Sequence, residues 1–75
     1  MRLLSAPKNM PLSIVKIEDA PYKAKLYELG IFEGQIIHWE LSAAFSGPIA
    51  IRVNESLISL REEDAGIIHV EKIES

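Results

Sequence analysis

The side chains best suited to metal coordination are two imidazoles, His38 and His69. The chain has no cysteine, so a transition-metal site would need both histidines to converge with a carboxylate such as Glu40 or Glu71. No pair among these residues stands at a recognised metal-ligand spacing. The sequence therefore favours two ordinary strand histidines, and transition-metal binding through His38 and His69 remains the alternative.

The acidic run Glu62-Glu63-Asp64 offers the carboxylates that Mg²⁺ and Ca²⁺ prefer. Three adjacent side chains diverge on one turn, however, and nothing nearby resembles an EF-hand loop. The run is better interpreted as a solvated helical turn that ends at Gly66, with Arg61 pairing weakly to one of its acids.

Catalytic motifs are missing from the sequence. It contains no GxSxG, no P-loop and no HExxH, and its serines have no histidine nearby in sequence to activate them. A chain of this size also has little room for a pocket that excludes water. We therefore expect a protein that is not an enzyme and holds no firm cofactor.

Length and charge restrict the function further. The 75 residues, 48% of them hydrophobic, predict one globular domain over residues 1–75. The net charge of -3 argues against a nucleic-acid partner, which would select a basic face. No apolar run approaches the length of a membrane span or a signal peptide, so we expect a cytoplasmic protein with no direct membrane insertion.

One short amphipathic helix is predicted within residues 22–30. Tyr22, Leu26 and Leu29 fall at i, i+4 and i+7 and so share a face. Asp19 is a plausible N-cap, and Gly30 can take the left-handed conformation that follows a helix. In a chain of strand patterns, this helix is the part expected to meet a partner.

The rest of the chain reads as strands. Alternation of apolar and polar residues is clearest around Ile51, and Trp39 lies on an apolar face in the same way. The predicted strands are Leu12–Glu18, Gln35–Leu41, a strand around Ile49 to Val53, Ser56–Leu60 after a tight turn at Asn54-Glu55, and Ile67–Ile73. The fold class is mainly β: a strongly bent antiparallel sheet of about five strands rolled into a partly open barrel, with the helix after the first strand.

A partner-binding surface is predicted on the helix and its exit turn. Its candidate residues are Lys23, Lys25, Leu26, Tyr27, Leu29, Gly30, Ile31 and Phe32. The competing interpretation is that Leu26, Leu29 and Ile31 merely pack the helix onto the barrel. Both lysines lie off the apolar stripe, so charge reversal there is expected to spare the fold. Apolar residues around Phe32 and Phe45 leave room for a weak homo-oligomer.

Three segments carry a family resemblance: Leu26-x-x-Leu29-Gly30-Ile31-x-x-Gly34, Gly47-Pro48-Ile49, and Ser59-Leu60-Arg61 before the last strand. Together with the order of elements, they resemble the ferrous iron transport protein A (FeoA) family over nearly the whole chain. Members usually have a glycine in the turn where this chain has Lys8-Asn9-Met10. The resemblance implies an SH3-like fold.

The resemblance also implies a function: a cytoplasmic accessory of bacterial ferrous iron uptake. Its partner would be the large membrane permease that carries a GTP-binding domain. Related domains occur at the C-termini of metal-dependent repressors, so a metal-responsive regulatory module is the alternative. An RNA-associated SH3-like barrel is a third, which the acidic balance disfavours.

Overall fold

The computed structural model describes residues 1–42 and 48–73, and in these ranges the chain forms five strands and two short α-helices. In chain order they are β1 (Pro11–Ile17), α1 (Lys23–Glu28), β2 (Ile36–Ser42), β3 (Ile49–Val53), β4 (Ser56–Leu60), α2 (Glu62–Ala65) and β5 (Ile68–Lys72). All strand pairings are antiparallel, in the spatial order β4-β3-β2-β1-β5. The mainly β class and the helix after the first strand are confirmed.

The core lies on one face of this sheet. In β3, Ile49, Ile51 and Val53 are buried while the residues between them are half-exposed, so the predicted alternation is confirmed. Trp39 in β2 is 6% exposed and belongs to the same cluster. The cluster's other members are Leu3, Ala6, Leu12, Ile14, Ile17, Leu26, Ile31, Ile37, Leu60, Ala65, Ile68 and Val70.

Two bulges bend the sheet around this core. The register of β1 against β5 shifts between Ile14 and Lys16, and that of β2 against β3 shifts between Trp39 and Leu41. An extra residue in one strand increases its local bend and twist. The bulges thereby curl a short sheet far enough to enclose a core without closing it into a barrel.

The N-terminal segment is built into the fold, which the sequence patterns did not indicate. The Val70 N–H donates to the Met1 carbonyl oxygen (2.7 Å), and the Met1 ammonium donates to the Val70 carbonyl oxygen (3.0 Å). Arg2 forms an isolated antiparallel β-bridge with His69. A 3-10 turn, Leu3–Ser5, then places Leu3 in the core with no exposed surface. This segment covers the outer edge of β5.

Asn9 and Asn54 take the left-handed backbone conformation, with φ of 62° and 57°. Asparagine is among the few L-residues that visit this region routinely. Asn54 begins the two-residue turn between β3 and β4, as predicted, and Asn9 lies in the segment that leads into β1. Asparagine at these two positions tolerates the backbone conformation that each turn needs.

The acidic run forms the predicted helical turn, but it is not solvated throughout. Asp64 is 1% exposed, whereas Glu62 and Glu63 are exposed. The interpretation of a fully solvated cluster is therefore wrong at Asp64, because this carboxylate turns inward to a cation described below.

Among the described residues no helix is long and apolar enough to cross a membrane.

Candidate functional site

α1 ends in a turn fixed by backbone hydrogen bonds. Gly30 has a φ of +91°, as predicted for the residue that follows the helix. Its N–H donates to the Tyr27 carbonyl oxygen (3.0 Å), and the Ile31 N–H donates to the Leu26 carbonyl oxygen (2.9 Å). This is the Schellman pattern, in which two orphan carbonyls of the last turn are satisfied and the chain folds back.

The buried face of α1 differs from the predicted apolar stripe of Tyr22, Leu26 and Leu29. Leu26 is fully buried, but Tyr22 and Leu29 are 42% and 40% exposed. The helix has only six residues, and the turn at Gly30 brings Ile31 into the core cluster, so Ile31 replaces Leu29 as the second packing residue. The proposed N-cap is also wrong, because the N-cap position is Tyr22 and no side chain caps it.

Leu26 and Ile31 consequently lie outside any contact surface, because neither has exposed area. Of the eight candidate residues, three form a connected surface group with a neighbour that the sequence did not single out. We call this group the aromatic ridge: Lys23, Tyr27, Phe32 and Glu33. It runs from the first residue of α1 to the exit turn.

The aromatic ridge is held together by three kinds of contact. The Tyr27 and Phe32 rings stack, with centroids 5.5 Å apart and planes inclined by 14°. The Lys23 ammonium lies 5.8 Å from the Tyr27 ring centroid, a cation–π distance. The Tyr27 hydroxyl donates to the Glu33 carboxylate at 3.0–3.1 Å. Phe32 nevertheless remains 46% exposed, so the ridge presents an aromatic face to solvent.

Glu33 adds a fixed negative charge to the ridge. Its own backbone N–H is the main cause that lowers the pKa of its carboxyl below the usual 4.5; desolvation opposes this, and the Tyr27 hydroxyl and the Lys23 charge lower the pKa further. The carboxyl is therefore ionised at neutral pH, which favours the hydrogen bond from Tyr27. The aromatic face is thus flanked by Lys23 on one side and Glu33 on the other.

The exit turn is fixed by Gln35, a residue the sequence analysis missed. Its Nε2 donates to the Gly30 carbonyl oxygen, and its Oε1 accepts from the Phe32 N–H, both at 2.8 Å. The Gly34 N–H then donates to the Ile14 carbonyl oxygen in β1 (2.8 Å). An isolated glutamine between a turn and a strand carries no sequence signal for this role, which appears only once the turn is folded.

Lys25 has a structural partner. Its Nζ lies 2.8 Å from Asp64 Oδ2, and the two side chains are 49% and 2% exposed. The expectation that charge reversal at Lys25 would spare the fold is therefore wrong, because it would place two carboxylates together at a buried site. Of the two lysines, only Lys23 can test a surface role.

The histidines are placed apart from this surface. His69 Nε2 lies 2.9 Å from Glu18 Oε2, and the hydrogen bond from His69 is the main reason that the pKa of Glu18 is lowered. His38 lies opposite Arg52 in the β2–β3 register, and Glu40 pairs with that arginine. Within residues 1–42 and 48–73, no three potential ligands lie close enough to hold a metal ion.

Five antiparallel strands in an unclosed sheet, with a short helix after the first strand, define an SH3-like domain. The chain belongs to the FeoA domain family, whose model matches residues 1–72. This confirms the family resemblance seen in the sequence. No curated protein sequence matches the chain significantly.

Solved structures of the family share the fold. Iron(II) transport protein A from Clostridium thermocellum is 26% identical with a TM-score of 0.86, and the match covers 97% of this chain and 46% of that chain. This chain therefore spans less than half the length of that protein. A FeoA-like protein from Clostridium acetobutylicum is 25% identical with a TM-score of 0.86, over 100% of this chain and 88% of that one.

A metal-dependent repressor contains the same fold. The manganese-activated repressor ScaR in its apo form is 24% identical with a TM-score of 0.88, over 97% of this chain and 35% of that chain. At this identity the likeness concerns the fold alone. The same SH3-like architecture thus occurs both in iron transport proteins and within a larger regulator.

Proposed function

We propose that this protein is a cytoplasmic accessory of ferrous iron uptake that acts by binding, without catalysis of its own. Its partner would be the GTP-binding domain of the membrane iron permease, and its contact surface the aromatic ridge. The observation that carries the proposal is the Tyr27–Phe32 stack, in which Tyr27 packs against the core and the exposed Phe32 ring is fixed in place on a domain of the FeoA family.

The ridge has the features of a protein-binding anchor. Aromatic side chains dominate the binding energy of many interfaces because they bury a large area with few rotatable bonds. Here Glu33 holds the Tyr27 hydroxyl and Gln35 holds the Phe32 backbone, so little side-chain or loop entropy remains to be lost on docking. Lys23 and Glu33 would orient the partner through charge at the rim.

The test is binding of isotope-labelled protein to the permease's GTP-binding domain, followed by NMR. We expect shifts at residues of the aromatic ridge, and Phe32→Ala should weaken binding about tenfold or more, as for a central aromatic anchor. Lys23→Glu should weaken binding less and reduce its dependence on salt.

Leu57→Ala is the matched control, because Leu57 is 56% exposed and lies on β4, away from α1 in the sheet order. It should leave binding to the permease domain unchanged. Equal losses from Phe32→Ala and Leu57→Ala, or shifts that avoid the ridge, would remove the ridge as the docking surface.

The shared fold of the repressor favours a second candidate, a metal-responsive regulatory module. This function would require the protein to bind a transition metal through residues such as His38 or His69. A titration with ferrous or manganous ion separates the two candidates: shifts at the imidazoles at micromolar metal support the regulatory module, and unchanged spectra support the accessory.

A further inference from the structure

β4 is an edge strand whose outer side is left open by the described residues. In the sheet order it pairs only with β3, whereas the opposite edge, β5, is covered by Met1 and Arg2. An open edge presents unpaired backbone donors and acceptors that can bind another strand. The outer edge of β5 is therefore covered, whereas the described residues leave that of β4 open.

β4 also lacks the usual protection of an edge. Its sequence, Ser-Leu-Ile-Ser-Leu, contains no charge, proline or glycine, and the sheet's two register shifts lie in other strands. Natural edge strands commonly carry an inward lysine, a proline or a bulge to prevent pairing. Leu57, on the solvent face, is 56% exposed.

The direction of the free backbone groups follows from the turn. Val53 and Ser56 flank a two-residue turn, so Ser56, Ile58 and Leu60 direct their N–H and carbonyl groups to β3. Leu57 and Ser59 therefore direct theirs to the open side. A strand that pairs here must use these two residues.

We infer that the partner of this edge is β4 of a second copy, in an antiparallel pair related by a two-fold axis at Ile58. This register places Leu57 opposite Ser59 of the other copy, twice, so that all the outward groups of both residues are bonded. It brings the two Ile58 side chains together beside their cores. A two-fold interface of this kind is self-complementary and closed.

Charge complementarity selects this register. Glu55 precedes β4 and Arg61 follows it, and both are exposed. Arg61 keeps an extended backbone, with φ of -75° and ψ of 158°, so it continues the line of the strand. With the axis at Ile58, Glu55 of each copy lies opposite Arg61 of the other. An axis midway between two residues would set outward groups against inward ones, and an axis at Leu57 or Ser59 would lose both charge pairs.

The dimer should be weak, because a five-residue edge pair is small compared with a standard interface. We expect a dissociation constant between about 10 µM and about 1 mM, measured by sedimentation velocity. In the wild-type protein, hydrogen exchange at the Leu57 and Ser59 amides should slow as the concentration rises through this range. The exchange at Leu29, the residue that follows α1, should not change.

A charge swap provides the decisive variants. Glu55→Arg or Arg61→Glu alone places like charges opposite each other and should raise the dissociation constant about tenfold. The double variant restores both pairs and should return it to within about threefold of wild type. Circular dichroism verifies that each variant is folded.

Two results would overturn the inference: a monomer at every concentration with fast exchange at Leu57 and Ser59, or a dimer whose dissociation constant is the same in all three variants. If a single variant does not fold, the concentration dependence of hydrogen exchange at the wild-type Leu57 and Ser59 amides still tests whether the dimer forms through β4. The inference is independent of the proposed function, because it uses β4 and not the aromatic ridge.

Discussion

Gly30 determines where α1 ends and where the two residues after it lie. Its left-handed conformation ends α1, brings Ile31 back onto the core and aims Phe32 at Tyr27. The position was predictable because a glycine directly after an amphipathic stretch is a common helix terminator. Gln35, which fixes the same turn, was not predictable, because its bonds to Gly30 and Phe32 exist only in the folded turn.

Gly30→Val should destabilise the protein by about 1–2 kcal/mol, because an L-residue with a branched side chain resists this conformation. No heavy atom lies within 4 Å of where a Cβ would stand, so the cost is one of backbone conformation and not of a clash. Chemical denaturation measures it.

The matched control for Gly30 is Gly66→Ala. Gly66 has an ordinary helical φ of -63°, and an added Cβ would meet the Glu62 and Glu63 carbonyl oxygens at 3.4 and 3.6 Å, which are ordinary contact distances. That variant should stay within about 0.5 kcal/mol of wild type or be slightly stabilised. A Gly30→Val protein as stable as Gly66→Ala would show that the turn tolerates a side chain.

At the scale of elements, the ion pair between Lys25 and Asp64 joins α1 to α2. Lys25→Met should destabilise the protein by about 1–3 kcal/mol, since it leaves a buried carboxylate without its cation. The value is below that of a fully buried pair because half of the Lys25 side chain is exposed to water. A double-mutant cycle with Asp64→Asn, followed by thermal unfolding, isolates the pairwise energy.

Arg61 and Glu63 provide the control pair. Their charged atoms are 4.0 Å apart and both side chains are more than half exposed, so a cycle of Arg61→Met with Glu63→Gln should give less than about 0.5 kcal/mol. Similar coupling energies in the two cycles would mean that burial of Asp64 adds nothing to the attachment of α1.

The elements themselves were predictable to different degrees. The alternation around Ile51 predicts β3 because one side of a half-buried strand must be apolar. The exposure of Tyr22 and Leu29 was not predictable, because both fit a helical period that extends one residue beyond each end of the six-residue helix. The Lys25–Asp64 pair joins residues 39 positions apart and leaves no local pattern.

Phe45 and Gly47 lie outside the described residues, so the predictions made on them stay predictions.

For the whole molecule, stability depends on one small core. A chain of 75 residues without cysteine buries only about 60% of the surface that its unfolded form exposes. The N-terminal segment therefore matters: Leu3 has no exposed surface and closes the core beside β5. Three residues of 3-10 turn carry no periodicity, which is why the sequence patterns did not reveal this contribution.

Trp39 is the residue on which this core should depend most visibly. Its ring is 6% exposed on the inner face of β2, with the Lys8 ammonium 5.2 Å from the ring centroid. Trp39→Ala removes the largest side chain of the core and should cost about 3–5 kcal/mol, most of the stability of a small domain. Ile36→Ala is the matched control, because Ile36 lies on the same strand, faces outward and is 55% exposed, so its loss should change stability by no more than about 0.5 kcal/mol. Melting curves followed by circular dichroism compare the two variants. We expect Trp39→Ala to be largely unfolded at moderate temperature and Ile36→Ala to melt like the wild type. Equal melting temperatures would contradict the assignment of the inner and outer faces of β2.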